Sequence, residues 1–354
     1  MIKVMVTGVG SEGAYGVIKS LRDYYKNRIY IIGLDTNINC ANKKFVDKFI
    51  VSLKRTDNKY YDYILDNLKK NEIDIFWPIP TEELNFFAEN KTDLERRTNS
   101  KVMIGDIKSI IISNNKATLY DYFQDIIPDY IPKYRICNNL DQIERAVFEL
   151  GYPNKRVCFK KVTGSGSRGF RVLFSEHDEY NSLMNEYPSQ TVCRWDSLKD
   201  ILKDKVDLPN IMIMEYLPKS EYDVDIICKD GKSYCIIPRL NYKMHFGMSL
   251  VTKTCFNKEI TDISKLIVEK LNLSYIVSLT FKMDEYNKLK LLEINPRVPG
   301  TIIATTYSGV NYPKLAIDLL LNKYSNEEVK INWNKTIIRY WEDIVINEGD
   351  YYER

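Results

Sequence analysis

The chain has 354 residues, 51 lysines and arginines against 48 aspartates and glutamates, and a formal net charge of +3. That balance argues against a general attraction to nucleic acid or to a membrane surface. With 44% hydrophobic and 28% charged residues the chain can bury large cores, in two or three units at this length. Seven scattered cysteines form no C-x-x-C pair, and the only histidines are His177 and His245. Neither a disulfide frame nor a zinc site of the usual kind is expected. No apolar stretch nears the roughly 18 residues of a membrane span, and a strand begins almost at residue 1, which leaves no room for a targeting segment. The expected compartment is the reducing cytoplasm.

Residues 2–6 read as a strand, 14–25 as a helix and 29–34 as a second strand. Between the first two lies VTGVGSEGAYG, in which Gly8-x-Gly10-x-x-Gly13 has the spacing of a dinucleotide-binding turn, and Asp35 stands where a ribose-binding carboxylate would. On these residues alone an NAD(P)-dependent oxidoreductase competes with a tight β–α turn that binds nothing. A helix over 60–70, a short strand over 73–78, a helix over 82–90 and a strand over 102–104 continue the βαβ series. A parallel sheet with helices on both faces is its natural solution. A helix over 109–125 then runs into Pro128 and Pro132, which mark a connection. Beyond them, strand-like runs (157–162, 170–174, 211–217, 222–228, 233–238, 277–283, 289–294) cluster with helices (140–150, 179–187, 260–271, 312–321). That mixture indicates an α+β, largely antiparallel part, closed by a strand over 336–346.

The stretch Leu289–Thr301, LKLLEINPRVPGT, carries the densest chemistry. Glu293 and Asn295 are two apart, so an extended strand puts both on one face. Two hard oxygen donors there can hold Mg²⁺ against a polyphosphate, and Arg297 can reach the same region to neutralise charge. A polar strand end followed by a turn fits the same letters.

This stretch resembles the signature of ATP-grasp carboxylate–amine ligases, in the branch similar to each half of the carbamoyl-phosphate synthase large chain and to the pyrrolysine-biosynthesis ligase. Further matches follow in order. Asn115-Lys116 resembles the D-K pair at the domain entry. Phe159–Gly169, FKKVTGSGSRG, resembles the glycine-rich loop. Met214-Glu-Tyr-Leu-Pro218 with Glu221-Tyr-Asp-Val-Asp225 resembles E-Y-I-x-G-x-E-Y-x-V-D. Pro238-Arg239 and Gly247-Met-Ser249 resemble the segment after it. The resemblance implies a Rossmann-like pre-ATP-grasp domain over 1–110 and a two-lobed ATP-grasp domain, its first lobe over 111–210 and its second over 211–354.

It also implies roles. Lys116 and Lys160 would grip phosphates, with Gly164, Ser165, Gly166 and Ser167 in a lid above them. Glu215, Tyr216 and Leu217 would meet adenine, and Glu221 or Asp223 the ribose. Glu293 and Asn295 would hold one or two Mg²⁺ ions, with Mn²⁺ as a substitute, and Arg297 would act on the transferred group. The strand before this motif departs from the family pattern: Ser278-Leu-Thr-Phe281 puts Thr280, a weak ligand, where a second metal ligand is usual. With the nucleotide accommodated between residues 116 and 297, the first glycine loop need not hold one. Gly10, Ser11 and Glu12 are then expected to border the acceptor pocket, with Ser249 at the substrate and Arg239 gripping a carboxylate. The expected activity is an ADP-forming, ATP-dependent ligase with small-molecule carboxylate and amine substrates, acting by way of an acylphosphate, in a homodimer by base rate. A catalytically weak ATP-binding protein is the alternative that Thr280 raises, beside the oxidoreductase.

Overall fold

The computed structural model describes residues 1–164, 168–186, 191–245, 247–325 and 329–345. The opening segment runs β1 (Ile2–Thr7), α1 (Glu12–Tyr25), β2 (Ile29–Asp35), β3 (Lys48–Val51), α2 (Tyr60–Lys70), β4 (Ile75–Trp77), α3 (Thr81–Thr98) and β5 (Lys101–Val102). Its strands lie in the order β3-β2-β1-β4-β5, and each pairing is parallel. Alternation along the strands explains the two covered faces. Val4, Val6, Ile29 and Ile31 pack with Ala14, Val17, Ile18 and Leu21 of α1. Met5, Ile32 and Leu34 point the other way, onto Tyr60, Ile64 and Leu68 of α2 and Leu84 and Phe87 of α3.

Next come α4 (Ile107–Asn114) and α5 (Lys116–Phe123), two helices where the sequence suggests one. The break is Asn115, whose backbone is extended and whose side chain accepts from the amides of Ala117 and Thr118. Asparagine is a strong N-cap, so it starts a helix here instead of continuing one. A second sheet follows, from β6 (Tyr134–Cys137), α6 (Leu140–Glu149), β7 (Val157–Lys161), β8 (Arg171–Leu173), α7 (Glu179–Asn185), β9 (Val192–Cys193), α8 (Trp195–Leu202) and β10 (Ile211–Glu215). Its order is β6-β10-β7-β8-β9, antiparallel apart from the β8–β9 pair. Val157, Phe159, Ile211 and Ile213 share a core with Ile143 and Val147 of α6 and Trp195 and Leu198 of α8.

The remaining elements are β11 (Glu221–Lys229), β12 (Lys232–His245), β13 (Met248–Thr254), α9 (Lys258–Lys270), β14 (Tyr275–Met283), β15 (Leu289–Asn295), α10 (Ile303–Tyr307), α11 (Tyr312–Leu320) and β16 (Thr336–Ile338). They form the sheet β15-β14-β11-β12-β13-β16. Asp230 and Gly231, both at positive φ (48° and 76°), make the two-residue turn between β11 and β12. The closing strand is shorter than its apolar run suggests; it keeps three residues paired to β13, and residues 339–345 have no regular structure.

Met1–Ile111 clusters with Tyr222–Leu279 and Ile294–Arg354, while Ile112–Glu221 clusters with Thr280–Glu293. The divisions fall inside α4, β11, β14 and β15, so one helix and three strands contribute to both units.

Candidate active site

In the unit formed by 112–221 and 280–293, backbone hydrogen bonding brings the start of α5 to the exit of β7. The Lys116 amide donates to the Val162 carbonyl at 3.0 Å, and Asn115 bridges Thr163. Val157 and Phe159 of β7 are in the core, so the alternate residues Cys158 and Lys160 face the other way. Lys160 is only 9% exposed, and its ammonium lies 5.8 Å from the centre of the Tyr120 ring. The Lys116 ammonium is 3.2 Å from Glu293 Oε2 and 3.4 Å from the Gly164 carbonyl oxygen. Tyr120, one turn along α5 from Lys116 and fully buried, donates to the Leu292 carbonyl at 3.0 Å and so holds α5 beside Glu293. Sequence reasoning missed Tyr120; its only signal is the i,i+4 spacing from Lys116.

Two ammonium groups thus gather near one carboxylate. Lys160 is pushed down to about 8, chiefly by burial and next by repulsion from Lys116, with Cys158 and Glu293 opposing. An added anion would relieve that repulsion.

Along β15 one face reads Leu289, Leu291, Glu293, Asn295: buried and apolar, then half-buried and oxygen-bearing. Glu293, Asn295 and Thr280 are hard donors suited to Mg²⁺ or Mn²⁺, but they bring a single charge. Among the described residues no three His, Cys, Asp or Glu side chains gather to hold a metal. By donor chemistry Glu293 and Asn295, on one face of β15, fit a hard cation. Glu215 is partly spent on backbone: its Oε1 accepts from the Lys133 amide at 2.8 Å, and its own amide donates back to the Lys133 carbonyl. Tyr216 is half-buried and Leu217 buried, and Glu221 pairs with Lys282 at 3.2 Å. Gly164 has φ +115° and open space around it. Ser165, Gly166 and Ser167 lie outside the described residues.

In the other unit, Arg239 departs from its expected role. It is fully buried, and Nε and one terminal nitrogen donate to the two oxygens of Asp225 at 2.7 and 2.9 Å. Burial opposes its charge, but Asp225 and Asp223 outweigh that and hold the guanidinium above its ordinary value. A fork occupied by a carboxylate, with no accessible surface, does not grip a substrate. Ser249 is in the same position: 5% exposed, it bonds Asp223 Oδ2 at 3.0 Å and Asn241 Oδ1 at 2.9 Å. Asn241 donates to Asp223 at 3.0 Å, and Thr252 bonds Asn241 at 3.0 Å. Strands β11, β12 and β13 are thereby tied by a satisfied polar network around Asp223.

The glycines of the first loop are explained by packing. Gly8 has φ +62°, and a Cβ there would come within 2.3 Å of the Pro80 ring. A Cβ on Gly13 would lie 2.9 Å from the Pro299 carbonyl oxygen, and one on Gly16 2.6 Å from Ile302 Cγ2. The loop and α1 therefore press against the exit of the N-P-R-V-P-G motif. Asp35 accepts from the Gly10 amide at 2.7 Å and from the Asn37 amide at 2.8 Å, which closes the loop and leaves it poorly placed for a ribose. Ser11 caps α1 without a side-chain bond, its Oγ buried without a partner, and Glu12 is an exposed acid in the first turn. Arg297 donates from Nε to Thr81 Oγ1 at 2.8 Å, at the start of α3. Arg339, which the sequence reading passed over, is half-buried and donates to the Gly300 carbonyl at 2.6 Å.

A family model described as "ATP-grasp in the biosynthetic pathway with Ter operon" matches residues 207–343. The carbamoyl phosphate synthase large chain of Methanobrevibacter smithii is 22% identical over 289 residues; these are 76% of this chain and 25% of that protein, so the chain spans about a quarter of its length. Among solved structures, N5-carboxyaminoimidazole ribonucleotide synthetase in its ADP complex superposes with a TM-score of 0.66 at 16% identity, over 95% of this chain and 80% of the other. Biotin carboxylase from Campylobacter jejuni gives 0.64 at 16% identity, over 95% and 74%. No described helix is long and apolar enough to cross a membrane.

Proposed function

We propose that this chain, an ATP-grasp protein by its fold and by the family model over residues 207–343, is an ADP-forming ligase that joins a carboxylate to an amine. The observation that carries the reading is the pair of ammonium groups, Lys116 and Lys160, which among the described residues gather beside one carboxylate, Glu293. A triphosphate supplies the missing negative charge, and phosphoryl transfer asks mainly for positioning and charge neutralisation. Lys116 and Lys160 bind the β- and γ-phosphates. Glu293 and Asn295, with Thr280 on the neighbouring strand β14, would hold Mg²⁺, which would supply charge neutralisation on the phosphates. Glu215, Tyr216 and Leu217 border the base, and Glu221 and Asp223 the ribose; Arg239 positions Asp223 through the network on β11–β13 instead of touching substrate.

A substrate carboxylate oxygen attacks the γ-phosphorus and ADP leaves. The amine nitrogen then attacks the acyl carbon of the acylphosphate, phosphate departs and the nitrogen loses a proton. Arg297, steadied by Thr81, neutralises charge on the transferred group. The amine or acid sits over Gly10, Ser11 and Glu12 in an N-terminal domain of Rossmann-like kind.

Phosphorus NMR with MgATP over pooled carboxylates and amines tests this. ADP and phosphate should form only when both substrate classes are present, and Glu293→Ala should slow the reaction by roughly a hundredfold or more. AMP and pyrophosphate as products, or unchanged turnover in Glu293→Ala, would overturn the reading.

A further inference from the structure

The strand order β3-β2-β1-β4-β5 reverses between β1 and β4. In such sheets the loops leaving the strands at the reversal part and open a crevice at the carboxyl edge. The residues along this edge are Thr7 at the end of β1, Arg55 beyond β3, Tyr60 at the start of α2, and Glu83 and Phe86 in the first turns of α3.

Most of the polar groups there are spent on one another. Glu83, buried, accepts from the Thr7 hydroxyl at 2.5 Å and from the Tyr60 hydroxyl at 2.7 Å. Burial also pushes its carboxyl up toward the neutral form. Arg55 is the exception. Its guanidinium carbon lies 4.1 Å from the centre of the Phe86 ring, and its Nε is buried without a hydrogen-bond partner. Among the described residues it makes no ion pair and no hydrogen bond. Glu83 is close enough to be influenced by its charge, but no carboxylate oxygen pairs with it.

A guanidinium over an aromatic ring is attracted to the ring face without spending its N–H donors, which stay available to an anion. Contact with the ring restricts the side chain before anything binds, and a guanidinium fork matches the two oxygens of a carboxylate or phosphate. A buried donor left without an acceptor is otherwise unfavourable. The second substrate is placed at this same edge, over Gly10–Glu12, by the ligase reading.

We propose that Arg55, held on Phe86, grips an anionic oxygen group, a carboxylate or a phosphate, carried by the substrate that binds over the carboxyl edge of the first sheet. The inference rests on the ligase reading and narrows it: that substrate is acidic at a point away from its reacting group.

The test uses the whole chain saturated with Mg²⁺ and a non-hydrolysable ATP analogue, so that the lysines near Glu293 are already filled. Inorganic phosphate is titrated in one arm and glutarate in the other, at constant ionic strength, and the melting temperature is followed. At least one anion should stabilise the wild type, and the arm that does so names the group as phosphate or carboxylate. Arg55→Met should weaken that anion at least tenfold while keeping the stabilisation by the nucleotide. Arg55→Lys, a point charge without the fork, should fall between, and Phe86→Leu should weaken the anion severalfold. If neither anion stabilises the wild type, or if Arg55→Met responds like the wild type, the proposal fails. Failure of the ligase reading shows separately, as a wild type that the nucleotide does not stabilise.

Discussion

The Arg239 cluster and the Lys116–Lys160 cluster both bury cations, with opposite balances. Around Arg239 two aspartates face one guanidinium, Asp225 takes its fork, and Asn241, Ser249 and Thr252 complete the bonding on neighbouring strands. Around Lys160 two ammonium groups share one carboxylate, and the ammonium nearer the core is driven toward neutrality. A compensated cluster of charge is a fastening; an uncompensated one awaits a ligand. The contrast corrects one expectation from the letters: Arg239, read there as gripping a carboxylate of the substrate, is buried with its fork on Asp225.

Breaking the fastening should have the largest effect on stability. Arg239→Met leaves Asp225 buried and unpaired, and should lower the unfolding free energy by about 3–5 kcal/mol, seen as a lower urea midpoint. Adding Asp225→Leu should recover most of it.

A smaller effect belongs to the first helix, α1. Gly16→Ala gains about 1 kcal/mol of helix propensity, but its methyl would meet Ile302 Cγ2 at 2.6 Å and the Ile303 amide at 3.1 Å. The clash should win, for a net loss of about 1–2 kcal/mol in thermal or urea unfolding.

The smallest expected effect sharpens the other side of the contrast. Because Lys160 titrates near 8, MgATP affinity should be steady below that pH and fall about tenfold per unit above it, or 1.4 kcal/mol per unit. The sign for folding is opposite. The folded value lies below the ordinary 10.5, so the unfolded chain holds more protons between about 8 and 10.5, and the penalty for burying this charge lifts as pH rises through that window. Calorimetric titrations between pH 6.5 and 9.5 would show the first trend, and Lys160→Met should remove it.

Much of this was legible from spacing. The period-two and helical patterns found β1, β2 and α2 closely, because apolar alternation follows directly from burial on a sheet or helix. That Glu293 and Asn295 share one face of β15 followed from strand geometry alone. Other features depend on tertiary partners that one line of letters does not display. Asn115 looked like a softened acid within a long helix and is a cap between two. Tyr120 reads as an ordinary core aromatic until its hydroxyl reaches Leu292. Gly13 matches a cofactor pattern, and only the approach of the Pro299 carbonyl shows what it admits. Arg239 gave no sign that Asp225, 14 residues earlier, would occupy its fork.

The account turns on Lys116 and Lys160 as the seat of a triphosphate. Calorimetric titration of MgATP into the wild type and into Lys160→Met at pH 7 tests it most directly, with melting temperature as the control for folding. The prediction is saturable binding by the wild type and an affinity lower by about tenfold to a hundredfold in the variant, the worth of a charge-assisted hydrogen bond, with an unimpaired melting temperature. Equal affinity in the two proteins would contradict it.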